Sequence, residues 1–181
     1  MTRVFVLDPA ELGGWGRVDG PEVAHHLASL GVDYERWPLR PLVAPSPEQV
    51  SAAYAPEIER LSARHGYHSV DVVRMTPDHP GRVEARAKFL SEHVHDDDET
   101  RFFVEGSGVF YLRLAERVHA VFCEAGDLLR VPAGTRHWFD MGSSPQFCAI
   151  RLFTRADGWV ATFTGDPIAA RMPDYDALAR A

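Results

Sequence analysis

The chain has 181 residues, of which 45% are hydrophobic and 25% charged, with a formal net charge of −7. That balance describes a globular protein with its own core, and the acidic surplus argues against a nucleic-acid or anionic membrane surface. No apolar stretch approaches the roughly 18 residues needed to span a bilayer.

Val4–Leu7 is a short apolar run halted by Asp8-Pro9. It reads as a first β-strand and is too short for a signal-peptide core, so a cytoplasmic location is expected. Asp19-Gly20-Pro21-Glu22 opens a helix that Gly31 ends, with Val23, Leu27 and Leu30 on one face. Val32–Trp37 alternates with period two and reads as a strand. Prolines 38, 41 and 45 mark a loop. Ser46-Pro47-Glu48-Gln49 is a capping-box start for a helix carrying Val50, Tyr54, Ile58 and Leu61, which Pro56 should interrupt. Val70–Met75 is predicted as a strand, and Asp78-His79-Pro80 opens a third helix running toward Phe89.

From Glu92 onward short β-rich runs alternate with turn residues. They are Arg101–Val104, Val109–Leu114, Val118–Glu124, Asp127–Val131, His137–Asp140, Phe147–Thr154 and Trp159–Thr164. Gly106 and Gly108 read as the turn between the first two. Such spacing predicts an all-β sandwich or barrel. Neither an internal repeat nor a linker is visible, so residues 1–181 read as one domain. In it, 1–90 form a mixed helical and stranded flank, 91–165 the barrel core and 166–181 a C-terminal tail. Asp96-Asp97-Asp98 reads as a solvated turn. Cys123 and Cys148 lie in strand-like runs and read as reduced core thiols.

The chemistry concentrates in His93-Val94-His95, Glu99 and His137. On a strand, residues two apart point to one face, so His93 and His95 can aim at one point. Glu99 is near enough to swing in from the next strand start, and His137 must arrive through the fold. Three imidazoles and a carboxylate suit Fe, Ni, Mn or Zn better than Ca or Mg. On a six-coordinate metal they leave two positions open. The other histidines read as exposed (His25, His26), as loop or cap residues (His65, His68, His79) or as a strand imidazole facing solvent or core (His119). Arg101, two beyond Glu99, shares its face in an extended segment. Arg151 interrupts the apolar run Ala149–Phe153. An inward guanidinium needs an anion: either a structural carboxylate or a bound substrate.

The punctuation around the histidines resembles the two signature motifs of the cupin superfamily. The first is His93-x-His95-x(3)-Glu99-x(6)-Gly106 and the second Gly126-x(5)-Pro132-x-Gly134-x(2)-His137. Ala87 and Met141 depart from the pattern; the four ligand positions do not. The flanking text is similar to the acireductone dioxygenase family, through Lys88-Phe89-Leu90, Asp98-Glu99-Thr100-Arg101-Phe102-Phe103, His137-Trp138-Phe139-Asp140 and Ala149-Ile150-Arg151-Leu152-Phe153. Gly158–Gly165 resembles its bacterial branch.

The resemblance implies a mainly β fold with flanking helices, a cupin jelly-roll barrel. It implies one Fe(II) or Ni(II) per chain on His93, His95, Glu99 and His137. Arg101 and Arg151 become catalytic and substrate-binding groups, with Phe89, Phe139 and Trp159 along the substrate pocket. The implied substrates are an acireductone and O2, in methionine salvage, by a monomer needing neither nucleic acid nor membrane. Another cupin dioxygenase acting on a different enediol or diketone, and a non-catalytic metal-binding cupin, stay open at this stage.

Overall fold

The structure, a computed structural model, describes residues 1–11 and 15–181. Among these residues there are eleven strands: β1 Arg3–Leu7, β2 Trp15–Asp19, β3 Asp33–Arg36, β4 Ser69–Met75, β5 His93–Val94, β6 Glu99–Leu114, β7 Arg117–Glu124, β8 Asp127–Val131, β9 Arg136–Asp140, β10 Phe147–Phe153 and β11 Thr162–Phe163. The helices are α1 Glu22–Ser29, α2 Pro47–Ala53, α3 Ala55–His65, α4 Arg82–Phe89 and α5 Tyr175–Ala179, with a 3₁₀ turn at Pro167–Arg171. None of these helices is long and apolar enough to cross a membrane.

The strands form two antiparallel sheets joined through β6. One runs β11-β5-β9-β6-β7-β1-β2; the other runs β4-β10-β6-β8-β3. This is the cupin double sheet, and no strand pairing among the described residues closes its outer edges into a continuous barrel. The predicted break at Gly106 is absent: β6 is one strand that passes from the second sheet to the first. Its register against β10 shifts between Cys148 and Ala149. One extra residue inverts which side chains face inward. Phe103 before the shift and Phe110 after it both enter the core between the sheets, while Phe102 and Tyr111 pack outside. Gly106 sits at φ +68°, and a Cβ there would lie 1.7 Å from the Gln146 carbonyl oxygen. Glycine is therefore required at a bend rather than at a turn.

Burial fixes three apolar layers. Between the sheets lie Phe103, Phe110, Leu112, Leu129, Phe139 and Phe147, joined by Val23 and Leu27 of α1. Outside the second sheet, Val50 and Tyr54 from α2 and its C-cap and Leu61 from α3 cover Phe102, Leu128, Ile150 and Leu152. The Ser46 capping box forms as expected, and the helix breaks at Tyr54 with Pro56 in the first turn of α3. Outside the first sheet, Ile168, Met172 and Leu178 pack on Phe5, Tyr111 and Trp138. The C-terminal residues are thus part of the packed structure. The Tyr175 N–H donates to buried Asp140 on β9, which also takes the Arg86 fork from α4 at 2.7 and 3.0 Å.

Two local expectations are corrected. Asp96–Asp98 is not a solvated turn. Asp97 is buried and accepts from Thr154 N and Oγ1 and from Arg155 N, and Asp98 accepts from Arg130 and from Ala133 N. His26 is half-buried, its Nε2 3.1 Å from Nδ1 of buried His119. Cys123 and Cys148 are buried free thiols, as expected.

Candidate metal centre

His93 lies on β5 opposite His137 on β9, and His95 follows just beyond β5. One nitrogen from each of the three rings lies within 4.8 Å of the others, and all three residues are buried. Glu99, the first residue of β6, brings Oε2 to 3.2 Å from His137 Nε2 and 3.4 Å from His95 Nε2. The two motifs are stitched together by the Gly134 N–H, which donates to the His95 carbonyl at 2.9 Å. Asp98 holds the same bend through Ala133 N.

Each imidazole has Nδ1 against a backbone carbonyl: Ser91 for His93, Val160 for His95 and Thr135 for His137, at 2.8, 2.9 and 2.8 Å. With Nδ1–H committed to a carbonyl, Nε2 is left as the lone-pair donor. This is how metal-binding imidazoles are oriented. Burial, and then the neighbouring His137, pushes His93 down to about 4, which keeps it neutral. Burial also opposes charge on Glu99, but Arg101 and the two facing imidazoles overcome it and hold the carboxyl well below its usual range. Burial opposes protonation of His95, yet its bond to Glu99 and that carboxylate's charge raise it. A divalent cation among these donors neutralises Glu99 as that proton does. The set therefore fits a transition metal.

The cluster floors a pocket. His93, His95, Glu99, His137, Arg101 and Arg151 line it with Phe89, Phe139 and Trp159, so every residue singled out in the sequence meets there. Lys88, Phe110, Phe153, Ala161 and Phe163 complete the wall. Sequence reasoning missed their roles. Lys88 and Phe153 lie inside motifs already quoted, and Phe163 inside Gly158–Gly165, but only the fold brings them to the pocket wall.

Arg101 donates to Glu99 at 2.5 Å, and its Cζ lies 4.7 Å from the Phe110 ring centre and 4.5 Å from that of Phe139. Its Nε is buried without a hydrogen-bond partner among the described residues. Arg151 stands directly opposite Arg101 on β10, yet its guanidinium forks onto Asp71 of β4 at 2.9 and 2.5 Å. Trp159 is 51% exposed, at the rim of the pocket.

A double-sheet cupin with three buried imidazoles and a carboxylate at the floor of an aromatic pocket belongs to the metal-binding cupins. The comparisons narrow this. Residues 24–161 match the ARD/ARD' family. An acireductone dioxygenase of Parvibaculum lavamentivorans is 55% identical over 88% of each chain. One from Parasynechococcus marenigrum is 51% identical over 97% of this chain and all of its own. The solved acireductone dioxygenase of Bacillus anthracis, with a cadmium ion in its active center, superposes with a TM-score of 0.81 at 31% identity. It covers 90% of this chain and 98% of its own. The chain belongs to the acireductone dioxygenase family.

Proposed function

We propose that this enzyme is the acireductone dioxygenase of methionine salvage. In this reading it acts in the cytoplasm as a monomeric single domain and cleaves 1,2-dihydroxy-3-keto-5-methylthiopentene with O2. His93, His95, Glu99 and His137 would hold one Fe(II) or Ni(II) per chain, since imidazole suits both. The observation that carries the reading is the buried three-imidazole, one-carboxylate cluster beneath an arginine with an unpaired N–H.

When bound, the metal would supply a template and Lewis acid for the ionised substrate. The protein's own groups do the rest. The three carbonyl-tethered imidazoles and Glu99 present a fixed donor face. The Arg101 Nε–H, left without an acceptor in a buried setting, is available to a substrate oxygen; a buried donor left unpaired costs about 1–3 kcal/mol. Its charge stabilises the enediolate most strongly where water is excluded. Phe89 and Phe139 give an apolar wall suited to a thioether tail, with Trp159 near the mouth. Arg151 is already neutralised by Asp71, which favours a supporting place beside Arg101 over a direct grip on substrate.

The metal is expected to select the products. Fe(II) would give formate and 4-methylthio-2-oxobutanoate. Ni(II) would give formate, carbon monoxide and 3-methylthiopropanoate. Loading the apoprotein separately with each metal and trapping carbon monoxide tests this. Identical products at full occupancy would remove the metal-dependent choice.

A further inference from the structure

Lys88 is the only lysine among the 19 lysine and arginine residues of the chain. It occupies the last turn of α4, directly before Phe89, and lines the pocket from an exposed position. The other two cations there are occupied, Arg101 by Glu99 and Arg151 by Asp71. Lys88 forms no ion pair among the described residues, not even with Glu84 one turn back. Its backbone is nonetheless well placed, because the Arg86 fork on buried Asp140 fastens α4 to the strand that carries His137 and Phe139.

We propose that Lys88 is a substrate-binding residue, the free cation that captures an anionic enediolate at the pocket mouth and pairs with it there. This rests on the dioxygenase reading, since it takes the ionised acireductone as the ligand. An anion approaching a protein of net charge −7 meets repulsion on average, and only a local positive potential reverses it. The buried Arg101 charge and a metal bound on Glu99 would act deep in the pocket, whereas an unpaired ammonium in an exposed position acts on the approaching ligand over about one Debye length. A compact ammonium on a flexible stem can also follow the ligand inward, which a fixed guanidinium fork cannot.

The test compares the metal-loaded chain with Lys88→Gln, Lys88→Glu and Lys88→Arg. Metal content should be unchanged in all three. With the acireductone at low salt, kcat/KM should fall about tenfold in Lys88→Gln and further in Lys88→Glu, through KM, and recover in Lys88→Arg. The unmodified chain should lose kcat/KM as salt rises, and that dependence should flatten in Lys88→Gln. Binding of squarate, a redox-inert planar dianion with vicinal oxygens, supplies a readout without turnover. Squarate should bind the unmodified metal-loaded chain more tightly than Lys88→Gln, with a steeper salt dependence. Equal affinity in the two, or no binding to either, overturns the proposal. Absence of turnover by the unmodified chain overturns the dioxygenase reading instead, and squarate still reports on anion capture.

Discussion

His95 Nδ1 donates to the carbonyl oxygen of Val160, 65 residues further along the chain, at 2.9 Å. One imidazole of the metal cluster is thereby oriented by the segment that rims the pocket. That segment is itself pinned at Gly158, where an added Cβ would sit 2.4 Å from Asp97 Oδ2 and 2.8 Å from Phe153 Cβ. The Val160 hydrogen bond ties the pocket rim to His95.

Gly158→Ala should therefore weaken metal binding without touching a ligand. The methyl group displaces the rim, His95 loses its acceptor, and metal affinity should drop about tenfold or more, as when an outer hydrogen-bond partner is removed. Competition with a chelator measures it. Unchanged affinity would mean that His95 holds its orientation without Val160.

His95→Ala or His137→Ala removes one of four donors and leaves a wet gap. Both variants should lose bound metal and dioxygenase activity, while circular dichroism shows the β fold partly retained on its separate apolar layers. Full occupancy and turnover in both would rule out the ligand assignment.

The two arginines should behave differently. Arg101→Lys keeps the charge and loses the planar fork between Glu99 and the pocket. Metal should still bind, with catalytic efficiency down about 100-fold, the scale of losing one placed donor. Arg151→Lys should cost less in kinetics and show instead as a lower Tm, because its fork serves Asp71. Equal kinetic losses in both would give them equal roles at the substrate.

Acid stability should carry a His119 signature. Burial, then the charge of His26, pushes this imidazole from its ordinary value of 6.5 down to about 4. Between those values the unfolded chain binds a proton that the folded chain refuses. Stability from this group is thus complete above pH 6.5 and is lost as pH falls toward 4. His119→Phe should flatten that part of the stability curve in urea titrations at stepped pH. An unchanged slope would place the acid sensitivity elsewhere.

The grouping of His93, His95 and His137 was legible because two of them are near neighbours and the third sits in a recognisable motif. His93 and His95 share one short segment, Glu99 opens the next strand, and the Pro132–Gly134 bend announces His137. What escaped was non-local. Gly106 reads as a turn in any window, and only pairing with β10 shows that β6 continues through it with a register shift. Trp15–Asp19 is exposed and polar, and it is a strand only because β1 gives it a partner. Asp71 stands opposite Arg151 across two strands far apart in sequence, so the occupied state of that arginine could not be read beforehand. Asp97 looked solvated within an acidic run because its donors, Thr154 and Arg155, arrive from the far end of β10.

The most direct measurement is oxygen uptake by metal-free and metal-loaded protein given the acireductone, with isotopically labelled O2 and mass analysis of the products. The expected result is one O2 consumed per acireductone, only with metal present, and both labelled atoms recovered in the cleavage products. Uptake at the uncatalysed rate with the metal site fully occupied, or products without label, would contradict the assignment of this site as a dioxygenase centre.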